Sequence, residues 1–591
     1  MPRDAAADAW RRWLVLVLLV LGAIVGVAAL VQRVQPQHLP PASAARVPCV
    51  SYAPFRRAGH SPFNATLRVQ PKQIEADLRQ LATITGCVRT YGLDHGLDAV
   101  PAIARRLGLR VVLGAWIGRD DAANDDQLRR AVALAREYAD VIELLIVGNE
   151  VLLRRELTAQ ALAVLLARAR RESPVPVTYA DVWEFWLRHA AVLKPHVDLA
   201  AVHVLPYWED HPVDNAAAAE YVHTIAARLR EAVAPLPVWV AETGWPAEGR
   251  QRGAALPGRT GQTRFIREMI AREQLGGAEQ LHFNLIEGFD QPWKRRLEGA
   301  MGGYWGWFDA EGRQRVQPQG PMPPDEGARL VLTAVAIGAV LGAALAGLSW
   351  GRLRFSTAAG WAARAAWLAT WMLGLAGLGA CAVLQWQALQ VWSRSAWETG
   401  FGLLFAIVAV GSALMELPRL ARHLAGNPAG PMHAPAAAAT HPLAGCVAMW
   451  RGGAAATERW RASLFVALLF CSGLIALQLV FDGRYRPLLW PIVWVSAAVA
   501  LSHALLGERF GPAAREERLL AAVCAAAAVS LVWIEGAANG QALVSAASWL
   551  ALAAPAWPRH GLPFASVVPA AAGRTHTSAD NSRPAAAGPA E

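Results

Sequence analysis

The segment Pro237–Pro246 reads Pro-Val-Trp-Val-Ala-Glu-Thr-Gly-Trp-Pro, and the rest of the chain can be understood around it. Residues 238–241 are a short apolar run rich in β-branched and aromatic side chains, which is typical of a buried parallel strand. The run ends on a carboxylate, Glu242, and Gly244 and Pro246 break it at once. An acid at the carboxyl end of a barrel strand lies where barrel enzymes place their catalytic groups, whereas a lone glutamate there would be an ordinary surface residue.

A second segment repeats this arrangement earlier in the chain. Residues 141–147 form another apolar run, which ends in Gly148-Asn149-Glu150. Two strand-end glutamates suit glycoside hydrolysis, because one carboxylic acid protonates the departing oxygen while one carboxylate attacks the anomeric carbon. Asn149 is then suited to hold the sugar 2-hydroxyl, whose hydrogen bonds strengthen in the transition state.

Strand and helix patterns alternate eight times between Cys49 and about Asp309, which predicts a (β/α)8 TIM barrel. An open doubly wound sheet is the alternative, but it needs a glycine-rich loop after its first strand, and residues 50–55 contain no glycine. Counted along the barrel, Glu150 closes strand four and Glu242 closes strand seven, so both open onto one mouth. The predicted strands are 49–54, 87–91, 110–116, 141–148, 175–180, 198–204, 237–242 and 280–287.

Other predicted strand ends carry side chains of the types that bind sugars. Aromatic rings stack on pyranose faces, and Arg, His and acidic groups bind hydroxyls. We interpret Trp116 and Tyr179 as barrel core, and we expect the aromatic residues beside Pro or Gly breaks to face a ligand. The expected substrate-binding residues are Tyr52, Arg89, Tyr91, Asn149, His203, Tyr207, Trp208, Trp245, Glu287, Asp290, Trp293 and Lys294.

Six motifs, in order, resemble glycoside hydrolase family 17, the β-1,3-glucanases and their transglycosylating relatives. The resemblance covers about residues 49–309 and implies a retaining double displacement, with Glu150 as acid/base and Glu242 as nucleophile. It also implies assistance from Lys294 and an acid of the last motif; this chain has Gln291 where plant members have Glu, so that Glu287 or Asp290 would substitute. The bacterial membrane-bound members linked to periplasmic β-glucan synthesis look more similar. The motifs are VSYAPF (50–55), VRTY (88–91), VGNEV (147–151), PYW (206–208), AETGWP (241–246) and EGFDQPWK (287–294).

Cysteine and charge patterns exclude several other classes. The six cysteines include no Cys-x-x-Cys and no His pair has metal-ligand spacing, so we expect neither a metal site nor a cofactor. Cys49 and Cys87 each begin a predicted strand and could form a disulfide in an oxidising compartment. The net charge of +10 comes with only three lysines and no basic face, so we expect no nucleic-acid partner.

The remainder of the chain has the composition of a membrane protein, with 54% hydrophobic residues, 17% charged residues and a mean hydropathy of +0.25. Besides the apolar run at 13–31, seven runs follow the barrel, at about 330–349, 366–387, 400–416, 463–481, 487–505, 519–536 and 540–557. No ionisable residue lies deep inside a predicted span. The predicted organisation is a cytoplasmic N-terminus (1–12), a transmembrane anchor (13–31), a linker (32–48), the glycosidase domain (49–312), a linker (313–328), about seven transmembrane helices (329–558) and a disordered tail (559–591).

The arginines predict the orientation of these spans. Most of them flank the spans on one side, which is cytoplasmic if the barrel lies outside. Arg394, Arg484 and Arg486 are the exceptions. The predicted location is therefore the bacterial inner membrane, with several spans, a periplasmic catalytic domain and both termini in the cytoplasm.

The expected partners are a β-glucan polysaccharide or oligosaccharide, membrane lipid and a glucan synthase. A membrane tether favours building or remodelling glucan over digestion, but the sequence leaves open both hydrolysis and transfer, and both β-1,3 and β-1,6 products. A sensor or export component whose barrel only binds glucan is a second class, against which the two glutamates and Asn149 argue. A nucleotide-sugar glycosyltransferase would need an Asp-rich cytoplasmic metal site, which the Ala/Gly/Pro-rich loop 424–458 does not offer.

Overall fold

The computed structural model describes residues 2–42, 44–275, 280–350, 360–426, 454–507 and 515–556. Eight parallel strands form a closed barrel in sequence order, which confirms the predicted (β/α)8 class. The first, second, third, sixth and last strands are shorter than predicted. The strands are β1 Cys49–Ser51, β2 Cys87–Arg89, β3 Arg110–Ala115, β4 Ile142–Asn149, β5 Val177–Val182, β6 Ala200–His203, β7 Val238–Thr243 and β8 Phe283–Leu285.

Helices alternate with these strands, and polar residues fix where several of them begin. Asp120 accepts hydrogen bonds from Ala122 and Ala123 at the start of one helix, and Thr158 and Asp214 cap two others in the same way. The helices of the barrel part are α2 Pro71–Leu81, α3 Val100–Leu107, α4 Asp121–Glu137, α5 Ala159–Glu172, α6 Trp183–Leu193, α7 Asn215–Val233, α8 Arg259–Glu273 and the short α9 Arg295–Glu298; α1, Pro2–Val34, precedes the barrel.

Alternate residues of the strands belong to two different cores. Val111 and Leu113 pack in the large cluster that includes the helices, whereas Val112 packs with Leu144 and Ile146 in a cluster made only of strand residues. Because successive strand residues point to opposite faces, the second cluster fills the inside of the barrel. This cluster includes the disulfide Cys49–Cys87, whose Cα atoms are 4.5 Å apart.

A bundle of apolar helices follows the barrel. Six described helices, the first of them in α1, are long and apolar enough to span a membrane. Two of the eight predicted runs form shorter helices, of 13 and 14 residues, because prolines interrupt them at 487, 491 and 555. The predicted tail 559–591 lies outside the described residues, as does most of the loop 424–458. The helices are α10 Glu326–Trp350, α11 Trp361–Trp392, α12 Ala396–Leu424, α13 Ala454–Asp482, α14 Val493–Leu505, α15 Arg515–Glu535 and α16 Gly540–Ala553.

This bundle buries a cluster of charged side chains around Glu416, the last residue of the predicted span 400–416. Glu416 is 6% exposed and forms salt bridges with Arg461 at 2.6 Å and Arg419 at 3.4 Å, and His503 lies 3.5 Å from it. The predicted span ends at Glu416, whereas α12 continues to Leu424, so Glu416 lies within the helix and not at its end.

The barrel is inserted between α1 and α10, and its two connecting segments run side by side. Met322 donates a backbone hydrogen bond to Gln37 at 2.9 Å, and these two residues form an antiparallel bridge. A salt bridge between Arg33 and Asp325 joins the end of α1 to the residue before α10. The chain therefore enters and leaves the barrel at one place.

The barrel also contacts all three described connections at the same end of the bundle. Arg295 donates to backbone carbonyls of residues 390, 391 and 393, before α12. Arg250 donates to the carbonyl of Gly483, after α13, and pairs with Glu535 at the end of α15. Gln251 accepts and donates hydrogen bonds at the start of α16. These contacts fix the barrel mouth relative to the bundle.

Candidate active site

Glu150 and Glu242 meet at the carboxyl-end mouth of the barrel, as their strand positions predicted. Glu150 directly follows β4 and has a φ of 53°, a left-handed conformation that is uncommon for residues other than glycine. Gly148, with a φ of +86°, makes this turn possible, because a Cβ atom there would lie 2.7 Å from the side chain of Val151. A register shift after Ile146 further re-aims the end of the strand.

His203, the last residue of β6, lies between the two glutamates. Its Nδ1 is 2.8 Å from Oε1 of Glu150, and its Nε2 is 3.4 Å from Oε1 of Glu242. One oxygen of each carboxylate lies within 4.8 Å of the other. Carboxyl groups about 5–5.5 Å apart are typical of retaining glycosidases, whereas inverting enzymes leave roughly 6.5 Å or more for a water molecule.

Arg89, at the end of β2, fixes the orientation of Glu242. It is 1% exposed and donates to Oε1 of Glu242 at 3.0 Å and to the Ala241 carbonyl at 2.7 Å. Its other terminal nitrogen donates to Oδ1 of Asn149 at 2.6 Å. This bond uses the amide oxygen of Asn149 and leaves its amide nitrogen as a donor for a ligand.

Glu150, His203 and Glu242 are also close enough to hold a metal ion. Arg89 already places a positive charge 3.0 Å from Glu242, and that charge would repel a divalent cation. The donor set therefore suits proton transfer and nucleophilic attack better than metal binding.

Burial and charged neighbours shift the pKa values of the acids around this centre. Burial raises the pKa of Glu150, but the hydrogen bond and charge of His203, with the charges of Arg154 and Arg89, lower it overall below its usual value. Burial raises the pKa of Glu287, although the Lys294 ammonium lies 2.9 Å away. Burial also raises the pKa of Glu298 to about 7. Carboxyl groups at one mouth thus differ in how readily they lose a proton.

A cleft of about 910 Å³ runs over this centre. Aromatic and charged side chains line it, as expected of a site for an extended polar ligand with apolar sugar faces. The lining residues include Phe55, Phe63, Tyr91, Trp116, Asn149, Glu150, Arg154, His203, Trp208, Glu242, Glu287, Trp293, Lys294, Glu298, Trp305, Arg484 and Tyr485.

Comparison with known proteins agrees with this geometry. The profile of the BtgE/BtgC glycoside hydrolase domain matches residues 49–306, the same segment that forms the barrel. Residues 49–306 form a glycoside hydrolase domain that resembles this family. The domain is similar to a curated glucan 1,3-β-glucosidase, and it belongs to a glucan-acting enzyme.

Curated relatives of the glycoside hydrolase domain include fungal proteins. The chain is 29% identical over 235 residues to a glucan 1,3-β-glucosidase of Schizosaccharomyces pombe, an alignment that covers 37% of this chain and 72% of that protein. It is 26% identical over 229 residues to a probable β-glucosidase btgE of Aspergillus fumigatus, covering 38% of this chain and 39% of that protein. The chain thus spans about two fifths of the length of the Aspergillus relative.

Solved structures similar to the chain include a family 17 β-1,3-glucanosyltransferase from Rhizomucor miehei. The identity is 21%, the TM-score is 0.41, and the alignment covers 46% of this chain and 97% of that one. An active-site mutant of the same Rhizomucor enzyme has been solved with laminaritriose, at 20% identity and a TM-score of 0.41, covering 46% of this chain and 97% of that one.

Nine of the predicted catalytic and binding residues line the cleft of the glycoside hydrolase domain. Trp293 is held by a 2.9 Å hydrogen bond from its indole nitrogen to Oε1 of Gln291, so Gln291 supports an aromatic wall of the cleft. Glu287, and not Asp290, is the acid that pairs with Lys294. The nine are Tyr91, Asn149, Glu150, His203, Trp208, Glu242, Glu287, Trp293 and Lys294.

Five predicted substrate-binding residues lie outside the cleft lining. Tyr207 and Trp245 are fully buried and hydrogen-bond to the carbonyls of residues 250 and 256, because the chain breaks beside them turn the rings inward to support loops. Tyr52 donates to Asp77 at 3.1 Å, and Asp290 pairs with Arg315 at 2.7 Å. The fifth, Arg89, lies behind Glu242 and Asn149 and donates a hydrogen bond to each of them.

Other cleft residues were missed or misassigned. Trp116, interpreted as core, is 43% exposed, and the guanidinium of Arg154 lies 4.1 Å from its ring centroid. Its place directly after β3 is the signal that should have assigned it to the mouth. Glu298, Arg484 and Tyr485 follow no strand, so no pattern in the sequence pointed to them. Tyr179, also interpreted as core, is fully buried.

Replacing Arg89 by methionine should destabilise the protein by about 3–5 kcal/mol, because it leaves the buried Glu242 carboxylate without its partner. Thermal unfolding of the full chain measures the effect. Arg110→Met is the matched control, since its salt bridge with Glu143 is largely exposed and should contribute at most about 1 kcal/mol. Equal melting temperatures for the two variants would contradict the prediction.

Proposed function

We propose that this chain is a retaining, membrane-anchored enzyme that cleaves β-1,3-linked glucan and transfers the glucosyl portion to a sugar acceptor. The observation that carries the proposal is the pair Glu150 and Glu242, with carboxylate oxygens within 4.8 Å of each other at the mouth of the barrel. That separation is shorter than the roughly 6.5 Å or more that inverting enzymes leave between their carboxyl groups for a water molecule.

In the first step, the Glu242 carboxylate attacks the anomeric carbon, and an ester bond forms as the glycosidic bond breaks. Glu150 gives its proton to the departing oxygen. That role needs a proton on Glu150, and the 2.8 Å hydrogen bond between His203 Nδ1 and Oε1 of Glu150 allows the pair to share one. Asn149 would donate its amide N–H to the sugar 2-hydroxyl.

In the second step, the Glu150 carboxylate removes a proton from an incoming hydroxyl, whose oxygen attacks the anomeric carbon. The ester bond breaks and Glu242 is restored, so two inversions give net retention. A sugar held in the cleft can outcompete water, because a bound nucleophile acts at high effective concentration. Trp208 and Trp293, on the cleft wall, are the aromatic residues placed for such an acceptor.

We also propose that the bundle lies in a bacterial inner membrane, with the barrel in the periplasm and both termini in the cytoplasm. The six long apolar helices, the arginine asymmetry and the Cys49–Cys87 disulfide support this arrangement. Membrane lipid would surround the bundle, and a glucan synthase in the same membrane could supply the substrate.

The test is incubation of the full chain with a defined β-1,3-glucan oligomer at high concentration, with products followed over time. Products longer than the starting oligomer should appear before degradation is complete, and NMR of the first products should show the β anomer. Accumulation of shorter products alone would make the enzyme a hydrolase. An α-anomeric first product would contradict retention, and an oligomer bound without any turnover would favour a barrel that only binds glucan in synthesis or export.

A further inference from the structure

The connection between α13 and α14, residues 483–492, reaches from the helical bundle into the cleft of the barrel. Arg484 and Tyr485 line that cleft together with Trp208. The ring centroids of Tyr485 and Trp208 are 6.2 Å apart, and the guanidinium carbon of Arg484 lies 5.9 Å from the centroid of a Trp208 ring. One wall of the cleft is therefore built from both parts of the chain.

Contacts on both sides of Arg484 hold this connection in place. Arg250 is 1% exposed, donates to the carbonyl of Gly483 and pairs with Glu535. Gly299, with a φ of +77°, lies directly against Tyr485, and a Cβ atom there would be 2.8 Å from the Tyr485 carbonyl oxygen. A buried arginine and a glycine that permits close approach are features of a fixed contact, so the two cleft side chains have a defined position.

The two arginines of this connection, Arg484 and Arg486, differ in their salt bridges. Arg486 points to its own helix, where it pairs with Asp482 at 2.9 Å. Arg484 is exposed and forms no salt bridge within the described part of the chain, which leaves its guanidinium donors available toward the cleft. Both residues lie on the side of the spans that carries few arginines. For Arg484, the neighbouring cleft explains this position.

The chemistry of this wall fits a sugar. An exposed guanidinium donates several hydrogen bonds to hydroxyls, and the tyrosine and tryptophan rings offer apolar surfaces for pyranose faces. The cleft volume of about 910 Å³ is near the upper end of the roughly 300–1,000 Å³ found for ligand pockets, as an extended chain would need.

We propose that Arg484 and Tyr485 form, with Trp208, a distal glucan subsite that the helical bundle contributes to the barrel. This inference rests on the proposed function, because it extends the same cleft. The bundle then contributes to substrate recognition as well as to anchoring, because the cleft is complete only when the barrel is docked on the bundle.

The test measures binding in the full-length Glu242→Gln protein, in detergent, with β-1,3-linked glucose oligomers from the disaccharide to the hexasaccharide. Tyr485→Ala and Arg484→Ala should each weaken binding of the hexasaccharide roughly three- to tenfold, the scale of one aromatic contact, and leave the disaccharide unchanged. Tyr485→Phe keeps the ring and should bind the hexasaccharide like the parent. Arg486→Ala is the matched control, because it removes an arginine of the same connection that points away from the cleft.

With Glu242 restored, the same substitutions should raise KM for long oligomers and leave kcat unchanged, since they remove binding that is equal in the ground and transition states. Two results overturn the subsite. In the first, Tyr485→Ala and Arg484→Ala bind the hexasaccharide as tightly as the parent does. In the second, both variants lose the same factor in affinity for oligomers of every length. A parent protein that binds none of the oligomers instead overturns the proposed function, and the two failures are therefore distinguishable.

Discussion

Replacing Glu242 by glutamine is expected to lower turnover of a β-1,3-glucan oligomer by roughly 10⁴-fold or more, because an amide cannot form the glycosyl ester. The amide is nearly the same size as the carboxylate and can still accept a hydrogen bond from Arg89, which lies 3.0 Å from Oε1. The variant should therefore keep its fold and its ability to bind the oligomer. Initial rates and binding measured on the same preparation separate lost chemistry from lost folding.

A smaller side chain gives a sharper test of the same role. In Glu242→Gly, added azide should attack the anomeric carbon of an activated β-glucoside in place of the carboxylate and displace the leaving group in a single inversion. The product should be the α-glucosyl azide. Glu220→Gln, a change on an exposed helix surface, is the control and should behave as the wild type. A Glu242→Gln variant that keeps more than a tenth of wild-type turnover would show that another group is the nucleophile.

Replacing Glu150 by alanine is expected to reduce turnover of an unactivated oligomer by about 10²–10⁴-fold, because protonation of the departing oxygen is lost. A substrate with an acidic leaving group such as dinitrophenolate needs no such proton. Its first step should stay fast, so a burst of released phenolate should precede slow steady turnover, as the glycosyl-enzyme waits for a base.

Azide should accelerate that steady phase, because it attacks without giving up a proton, and the product should be the β-glucosyl azide. The opposite anomers from the Glu150 and Glu242 variants would assign the two roles independently of rate. The same anomer from both variants would reverse the assignment, and a Glu150→Ala variant that releases no burst of phenolate would remove it.

The barrel could be predicted because its information is local and periodic. Apolar runs at the spacing of a βα unit, each ending in a polar residue, determine both the topology and which residues reach the mouth. Glu150, His203 and Glu242 were all found in this way. The boundaries of the apolar helices were less predictable. Because of Pro491, α14 begins only at Val493, and an apolar run alone does not show where a helix begins.

The direction of individual side chains at the mouth could not be predicted in the same way. Trp245 and Trp208 both follow strand ends, yet Trp245 is fully buried and Trp208 lines the cleft, because register shifts and loop packing decide which way each ring turns. The place of Tyr485 in the cleft could not be predicted for a different reason. It is near Trp208 only through the docking of the bundle on the barrel, a long-range contact without a periodic pattern.

The paired connections at Gln37 and Met322 also bear on how the chain assembles. Helices α1 and α10 are neighbours in the bundle but are separated in sequence by the entire barrel, and joining such distant segments of a flexible chain carries an entropic cost that grows with length. A barrel that folds first removes most of that cost, because its own ends already lie side by side. Barrel folding should therefore bring α1 next to α10. A barrel that cannot fold would leave α1 loosely attached to the other helices.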